Sequence, residues 1–222
     1  MRLKRLEAPA WWPIKRKVKK FSVFPRGPYA FGHSLPLLVL IRDILKFSET
    51  AKEARSIIKG GLVKIDGRPC KDYKFGVGLF DVIEIPTAKK AYRLVPKRGL
   101  RLIEIPLKEA KLKICKITGK KMIRNGKIQL NLHDGKNILA DNSYKVNDSI
   151  LLELPEQKII EHFKFESGQL VIVIKGKAAG RIAKIKNIEF RRVWLTVDEN
   201  LFEAPFDSVV AIGKEKPSIK VD

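Results

Sequence analysis

The sequence predicts an α+β fold in which β structure predominates. Helical spacing of apolar residues is concentrated between residues 37 and 59, whereas strand-like alternation with turn signals recurs from residue 62 onward. Hydrophobic residues make up 45% of the 222-residue chain, enough to form compact cores. We predict four segments, namely a basic N-terminal arm (1–33), a helix-and-hairpin domain (34–98), a central β-rich domain (99–165) and a C-terminal β domain (166–222).

The charge balance points to a polyanionic partner. The chain has 46 Lys and Arg residues against 24 Asp and Glu residues, a net charge of +22. Residues 1–33 contain nine basic residues and one acidic residue, and residues 34–98 contain 14 and seven. Residues 99–165 contain 13 and eight, and residues 166–222 contain ten and eight. The positive excess therefore falls along the chain from +8 and +7 to +5 and +2. Nucleic acid is the first candidate partner and an anionic membrane surface the second. The first half of the chain should carry most of the RNA contact.

Membrane insertion and secretion find little support in the sequence. The apolar run from Leu37 to Ile41 is stopped by Arg42, far short of the ~20 residues that a spanning helix needs. The basic start has no apolar region behind it, as a secretory signal would. The two cysteines, Cys70 and Cys115, form no C-x-x-C motif and imply no disulfide framework. We therefore expect a soluble, cytoplasmic protein with no membrane partner.

The N-terminal segment combines four prolines, two adjacent tryptophans and a lysine-rich run from Lys15 to Lys20. It has little periodic apolar patterning, which predicts an extended arm ordered by its partner. Its basic side chains could neutralise phosphates while Trp12 stacks on an unpaired base. Alternatively, Trp11 and Trp12 are hydrophobic anchors for the arm. The candidate RNA contacts in this segment are Lys4, Arg5, Trp12, Lys15, Arg16, Lys17, Lys19 and Lys20.

Two short helices and a β-hairpin are predicted next. Apolar residues from Leu37 to Leu45 follow helical spacing, and Thr50 to Glu53 has the pattern of a capping box that opens a second helix, ended by Gly60-Gly61. Lys52, Arg55 and Lys59 would share the polar face of that helix. Residues 62–65 are strand-like, Asp66-Gly67 is a strong hairpin-turn signal, and residues 82–85 form a later strand.

This order of elements resembles the S-four-type (alpha-L) RNA-binding domain, which holds structured RNA with its helix pair and hairpin. A solvated helix face would be the alternative explanation of the charged stripe. However, no acidic residue follows Glu53 until Asp66, which favours RNA. The contacts that the resemblance implies are Arg42, Lys46, Lys52, Arg55, Lys59, Lys64 and Arg68.

The central segment is predicted to be β-rich. Strand-like alternation occurs at residues 111–114, 128–132 and 150–154, with turn signals at Asn125-Gly126 and Asp134-Gly135. One helix is possible near residues 108–112.

The segment from Gly168 to Ile185 resembles a KOW motif, which folds as part of a small β-barrel. Gly176 and Gly180 would permit positive φ at the ends of its loop. The resemblance implies that Lys175, Lys177 and Arg181 face outward, where they could contact RNA or protein.

Motifs along the whole chain resemble one family. They include Leu3-Lys4-Arg5-Leu6-x-Ala8-Pro9-x-x-Trp12-Pro13, Ser34-Leu35-Pro36-Leu37, Gly78-Leu79-x-Asp81-Val82-Ile83, Leu130-x-x-His133-Asp134-Gly135 and Ile212-Gly213-Lys214-x-x-Pro217. Together with the module order, they are similar to small-ribosomal-subunit protein four of the archaeal and eukaryotic type. The resemblance implies a structural protein that binds folded small-subunit ribosomal RNA and contacts neighbouring ribosomal proteins. The alternative is a regulator of transcription or translation that binds RNA through KOW and S-four-type domains.

Catalysis is not expected. His33, His133 and His162 are far apart in sequence and show no metal-ligand spacing, and the nucleotide-binding and nucleophile motifs are missing. His133-Asp134-Gly135 could suggest a general base, but an Asp-Gly pair that follows a strand primarily indicates a turn. We predict no metal, no cofactor and no small-molecule substrate.

Overall fold

The computed structural model describes residues 3–123, 126–190, 192–197 and 200–221. Strand residues far outnumber helical ones, which confirms a mostly β protein of the α+β class. The chain divides into two compact units, Met1–Leu94 with Leu102–Ala110 and Val95–Arg101 with Lys111–Asp222. The four segment boundaries predicted from the sequence stay predictions.

The N-terminal segment is folded as part of the first unit. Strand β1 (Leu3–Lys4) pairs with β2 (Phe21–Ser22) in an antiparallel ladder. Between them the chain turns back through Trp12, whose side chain is only 2% exposed and whose Nε1 donates to the carbonyl of Ser34 at 3.1 Å. The Trp12 ring also packs edge-on against Phe31, with 5.9 Å between centroids. For these residues the prediction of an extended arm is corrected, because burial of Trp12 holds the segment against the body of the unit.

The predicted helix pair is present. Helix α1 (Leu37–Val39) continues directly into a π-helical turn, Leu40–Ile44, whose wider turn ends at Lys46 with φ +55°. Helix α2 (Ala51–Lys59) begins with the predicted capping box, in which Thr50 Oγ1 accepts from the Glu53 amide at 3.2 Å. Residues 37–41 are all buried, as are Ala54 and Ile58 on α2. The apolar stripes therefore set both helices against one core.

A five-stranded sheet completes the first unit and reaches the hairpin at residues 95–101. The strands of this region are β3 (Leu35–Pro36), β4 (Lys64–Ile65), β5 (Arg68–Pro69), β6 (Gly76–Val77), β7 (Val82–Ile85), β8 (Lys90–Pro96) and β9 (Leu100–Ile105). The sheet order is β5-β4-β7-β8-β9, and β3 pairs separately with β6. The predicted turn is confirmed, since Asp66 and Gly67 have φ of +50° and +76° and Ile65 pairs with Arg68.

The second unit contains a central antiparallel sheet. Its strands are β10 (Leu112–Met122), β11 (Ile128–Leu132), β12 (Asn137–Ala140), β13 (Ser149–Glu153) and β14 (Lys158–Phe163), in the order β12-β11-β10-β13-β14. The three predicted strands and the turn at Asp134-Gly135 are confirmed, although β10 is much longer than predicted. The predicted helix near residues 108–112 is a single 3₁₀ turn, Glu109–Lys111, which precedes β10. Asn125 of the other turn signal lies outside the described residues.

A second antiparallel sheet follows in the same unit. Its strands are β15 (Leu170–Val173), β16 (Ile182–Glu189), β17 (Arg192–Val197), β18 (Asn200–Pro205) and β19 (Val209–Gly213), in the order β18-β17-β16-β15-β19. Gly176 and Gly180 have φ of +87° and +88°, as predicted for the loop between β15 and β16. A Cβ at Gly180 would lie 2.6 Å from the carbonyl oxygen of Pro96. The positive φ and this close approach each require glycine at position 180.

Candidate nucleic-acid interface

The first unit has a basic cleft of about 510 Å³ between its N-terminal segment and its helix pair. Among the described residues, the cleft wall carries five cations and two carboxylates, a net charge of +3. The cations are Arg5, Lys15, Lys19, Arg42 and Lys46, and the carboxylates are Asp43 and Glu49. Residues that lie far apart in sequence are thereby brought to one surface, which we call the basic cleft.

Two arginines of the N-terminal segment stabilise its backbone. Arg5 is buried and donates to the carbonyls of Lys15 and Phe21. Arg16 donates from Nη2 to the carbonyl of Pro9 at 2.7 Å and from Nη1 to that of Ala8 at 2.9 Å. These guanidinium groups hold the turn in shape, because each bridges backbone groups several residues apart. Among the predicted RNA contacts, Arg5 and Trp12 are thus buried structural residues, and Arg16 is largely engaged within the segment.

The lysines that this turn carries are exposed. Lys15, Lys17, Lys19 and Lys20 all have solvent-exposed side chains, and Lys4 is exposed beside Glu7, with 3.5 Å between its Nζ and the carboxylate. An exposed ion pair of this kind stabilises the fold very little, so it does not prevent Lys4 from contacting a phosphate. The folded N-terminal segment therefore presents its lysines on a fixed backbone.

Arg42 is placed differently from the sequence expectation. It lies in the cleft wall, but its guanidinium forms a bidentate pair with Asp43, with Nε to Oδ1 at 3.1 Å and Nη2 to Oδ2 at 2.7 Å. Both side chains are mostly buried. Because the adjacent carboxylate neutralises it, Arg42 contributes less to the potential of the cleft than Lys46, which is exposed.

The basic stripe of α2 has the arrangement predicted from its spacing. Lys52, Arg55 and Lys59 are all exposed, opposite the buried Ala54 and Ile58. None of the three cations forms an ion pair with another described residue, and the Arg55 guanidinium lies over a tyrosine ring at 4.9 Å.

The acidic residue of α2 is held at the N-terminal cap of the helix. The Thr50 hydroxyl and the Glu49 and Thr50 amides donate to the Glu53 carboxylate, in that order of effect, and lower its pKa. The Glu53 carboxylate therefore stays ionised and fixed at the helix cap, and the three cations of the stripe still leave residues 51–59 with a net charge of +2.

The remaining predicted contacts lie in other places. Lys64 is half-buried on β4, and Arg68 is exposed on β5 at the edge of its sheet. In the second unit, Lys175, Lys177 and Arg181 are exposed in the loop between β15 and β16. Their outward orientation agrees with the prediction.

Buried cations in the second unit were missed by sequence reasoning. Lys113 on β10 is fully buried, and its Nζ lies 2.9 Å from the carboxylate of Asp134. Burial alone would raise the pKa of Asp134, but Lys113, His133 and Lys136 outweigh it and lower the pKa to about 2. A usable signal existed, since Lys113 has the same strand parity as the buried Cys115 and Ile117.

Asp134 cannot serve as a general base near neutral pH. A pKa of about 2 makes its carboxylate a very weak base. The carboxylate is also paired with Lys113 and accepts a hydrogen bond from the amide of Lys136 at 3.1 Å. His133 Nδ1 accepts from the backbone amide of Lys116 at 3.2 Å. The His133-Asp134-Gly135 motif is therefore structural at its aspartate, as its turn signal indicated.

The described residues contain neither a candidate membrane-spanning helix nor a candidate metal site. No helix among them is long and apolar enough to cross a membrane. No group of three or more His, Cys, Asp or Glu side chains in the described ranges could hold a metal ion.

Comparison with known proteins identifies the family. Residues 36–83 match the S4 domain, and residues 88–159 match the ribosomal family S4e. "Small ribosomal subunit protein eS4" of Korarchaeum cryptofilum is 44% identical, over 99% of this chain and 96% of that protein. The protein of the same name in Archaeoglobus fulgidus is 45% identical, over 97% of this chain and 96% of that protein.

A solved structure agrees with these relatives. The crystal structure of the 30S ribosomal protein S4e from Thermoplasma acidophilum matches with a TM-score of 0.73 and 32% identity, covering 86% of this chain and 99% of that one. The resemblances of the sequence to the S-four-type domain and to the family are confirmed. This chain belongs to the S4e family of ribosomal proteins.

Proposed function

We propose that the protein is a structural constituent of the small ribosomal subunit, where it binds folded ribosomal RNA and supports subunit assembly and translation. Its relatives carry the name of a small-subunit protein, and the chain matches them over nearly its whole length. The observation that carries the proposal is the unpaired basic stripe of α2, on the S4 domain beside the basic cleft. The protein acts in the cytoplasm, as part of the particle and not as an enzyme.

The stripe fits an RNA backbone because of its charge and rigidity. Lys52, Arg55 and Lys59 are separated by three and four residues on one capped helix, so their charges are held on one face. RNA that meets such a face releases condensed counterions, which favours binding and makes it depend on salt.

The N-terminal segment adds a second set of phosphate contacts. Lys15 and Lys19 line the basic cleft, while Lys17 and Lys20 are exposed nearby in sequence. The guanidinium groups of Arg5 and Arg16 already order this backbone, so less conformational entropy is lost on binding than for a disordered tail. In this proposal the segment is a folded binding element and not an arm that requires RNA to become ordered.

The C-terminal sheet is proposed to be a KOW-type barrel that makes further contacts. Its β15–β16 loop has the glycine conformations expected of a KOW loop, and it exposes Lys175, Lys177 and Arg181. The small charge excess of this segment, +2, suits contact with neighbouring ribosomal proteins as well as RNA.

The proposal is tested by reversing the charge of the stripe. The test variant combines Lys52→Glu, Arg55→Glu and Lys59→Glu, and binding to small-subunit ribosomal RNA is measured at several salt concentrations. Each phosphate contact contributes ~0.7–0.9 to the slope of log affinity against log salt, so loss of three contacts should reduce the slope by about two. Binding should weaken correspondingly, and the variant should not co-sediment with salt-washed small subunits.

A matched control carries Lys184→Glu, Lys186→Glu and Lys214→Glu. All three control lysines are exposed and lie outside the proposed contacts, and the total charge change is the same. The control should keep most of the affinity and the slope. Equal losses in both variants would mean that the stripe is an ordinary solvated face and that binding is diffuse.

A further inference from the structure

The segment between β5 and β6 places an aromatic ring beside the basic stripe of α2. The Arg55 guanidinium lies over the ring of Tyr73, with 4.9 Å between Cζ and the ring centroid. The ammonium group of Lys74 lies over the same ring, with 5.6 Å between Nζ and the centroid. One half-buried ring therefore holds two cations, which come from separate elements of the first unit.

The backbone that carries this ring is fixed to the first helix. The carbonyl of Tyr73 accepts a hydrogen bond from the amide of Leu38 on α1 at 3.0 Å. Asp72 also holds the turn in shape, because its Oδ1 accepts from the amide of Lys74 at 2.9 Å. These two hydrogen bonds limit the positions that the Tyr73 ring can occupy beside α2.

The two cations over the ring are not neutralised by ion pairs. Within the ranges that the structure describes, neither Arg55 nor Lys74 forms an ion pair with a carboxylate. Like charges held close together repel each other, and a bound anion removes that repulsion. The face of the ring attracts both cations and offsets part of their repulsion in the free protein. The arrangement therefore suits an anion from outside the chain.

Contact with a ring also prepares a long cationic side chain for binding. A free arginine or lysine side chain samples many rotamers and loses that freedom when it is immobilised. The Tyr73 ring restricts the Arg55 side chain beforehand, while Arg55 itself stays exposed to solvent. The planar guanidinium has five N–H donors, so several remain available to a phosphate.

We propose that Tyr73 is a positioning residue whose ring holds Arg55 and Lys74 ready for the phosphates of bound RNA. The role of Tyr73 rests on the proposed function, since both concern RNA at the basic stripe of α2. It also adds Lys74 to the RNA-binding surface. Helical spacing did not predict this contact, because Lys74 lies outside both helices.

The test removes the ring and keeps the charge. Tyr73→Leu leaves the net charge at +22, so a surface that binds by diffuse electrostatics alone would keep its affinity for small-subunit ribosomal RNA. Loss of the cation–π contacts should weaken binding of the full-length protein about two- to fivefold. Tyr73→Phe keeps the ring and should restore the affinity. Melting temperatures of both variants show whether the fold is intact.

A double-mutant cycle separates positioning from a structural role. The variant Arg55→Gln with Lys74→Gln removes both cations and should weaken RNA binding. Adding Tyr73→Leu to that variant should change the affinity no further, because the ring acts only through the two cations. A further loss of the same size in this background would overturn the positioning role.

The same measurements distinguish failure of this role from failure of the proposed function. If the glutamine variant binds weakly while Tyr73→Leu alone binds as tightly as the unsubstituted protein, the positioning role is wrong and the stripe still binds RNA. If the glutamine variant loses no affinity, these cations do not contact RNA, and the proposed function of the stripe is contradicted as well.

Discussion

Replacing Asp134 with asparagine removes the carboxylate that neutralises a fully buried lysine. The pKa of Asp134 falls from its ordinary 3.8 to about 2, which corresponds to about 2 kcal/mol of folding free energy at neutral pH. Truncating one partner of a buried ion pair costs about 3–5 kcal/mol in other proteins. We therefore expect Asp134→Asn to lower the free energy of unfolding by about 2–4 kcal/mol.

The assay is urea denaturation followed by circular dichroism at pH 7. A loss in this range would move the transition of the second unit by about 1 M or more, because m is typically about 1–3 kcal/mol/M in urea. The double variant Lys113→Met with Asp134→Leu removes both charges and should recover part of the loss.

The pH dependence provides an independent check. Because the folded pKa of Asp134 is depressed, its contribution is fully present above pH 4 and is lost as the pH falls towards 2. In Asp134→Asn this part of the acid dependence should disappear. A loss of less than about 0.5 kcal/mol at pH 7, typical of a surface substitution, would refute the reasoning.

Two further predictions concern the N-terminal segment and Lys116. Deleting Met1 to Lys20 removes the buried Leu3 and Trp12, so the melting temperature of the first unit should fall in a calorimetric scan; an unchanged value would mean that the segment does not pack as described. Burial lowers the pKa of Lys116 to about 8, while its Nζ donates to the carbonyls of Phe206 and Val209. The unfolded state then binds more protons between pH 8 and 10.5, so stability should rise by up to about 3 kcal/mol across that range. Lys116→Gln should lack this rise in denaturation curves, and an identical pH profile would contradict it.

Features fixed by neighbouring residues were predictable from the sequence. The capping box at Thr50, the turn at Asp66-Gly67 and the loop glycines Gly176 and Gly180 each depend on a few adjacent positions. The stripe of α2 followed from helical spacing alone. Local chemistry of this kind determines backbone conformation with little influence from the rest of the chain.

Features that depend on distant residues were not predictable. Trp12 is buried because its indole meets Phe31 and Ser34, about 20 residues away. Arg42 could be counted as a basic contact, but only its side-chain conformation shows the bidentate pair with Asp43. A lysine in a strand is normally exposed, and the burial of Lys113 depends on Asp134 in the turn between β11 and β12.

Ultraviolet cross-linking of intact small subunits, followed by mass spectrometry of RNA-linked peptides, tests the central claim most directly. The account predicts that RNA-linked peptides of this protein include residues 15–20 and residues 52–59, where exposed lysines and arginines face the proposed RNA. The chain must also be present in subunits after a high-salt wash. Subunits that contain the protein but yield no RNA links in either segment, or washed subunits that lack it, would contradict the account.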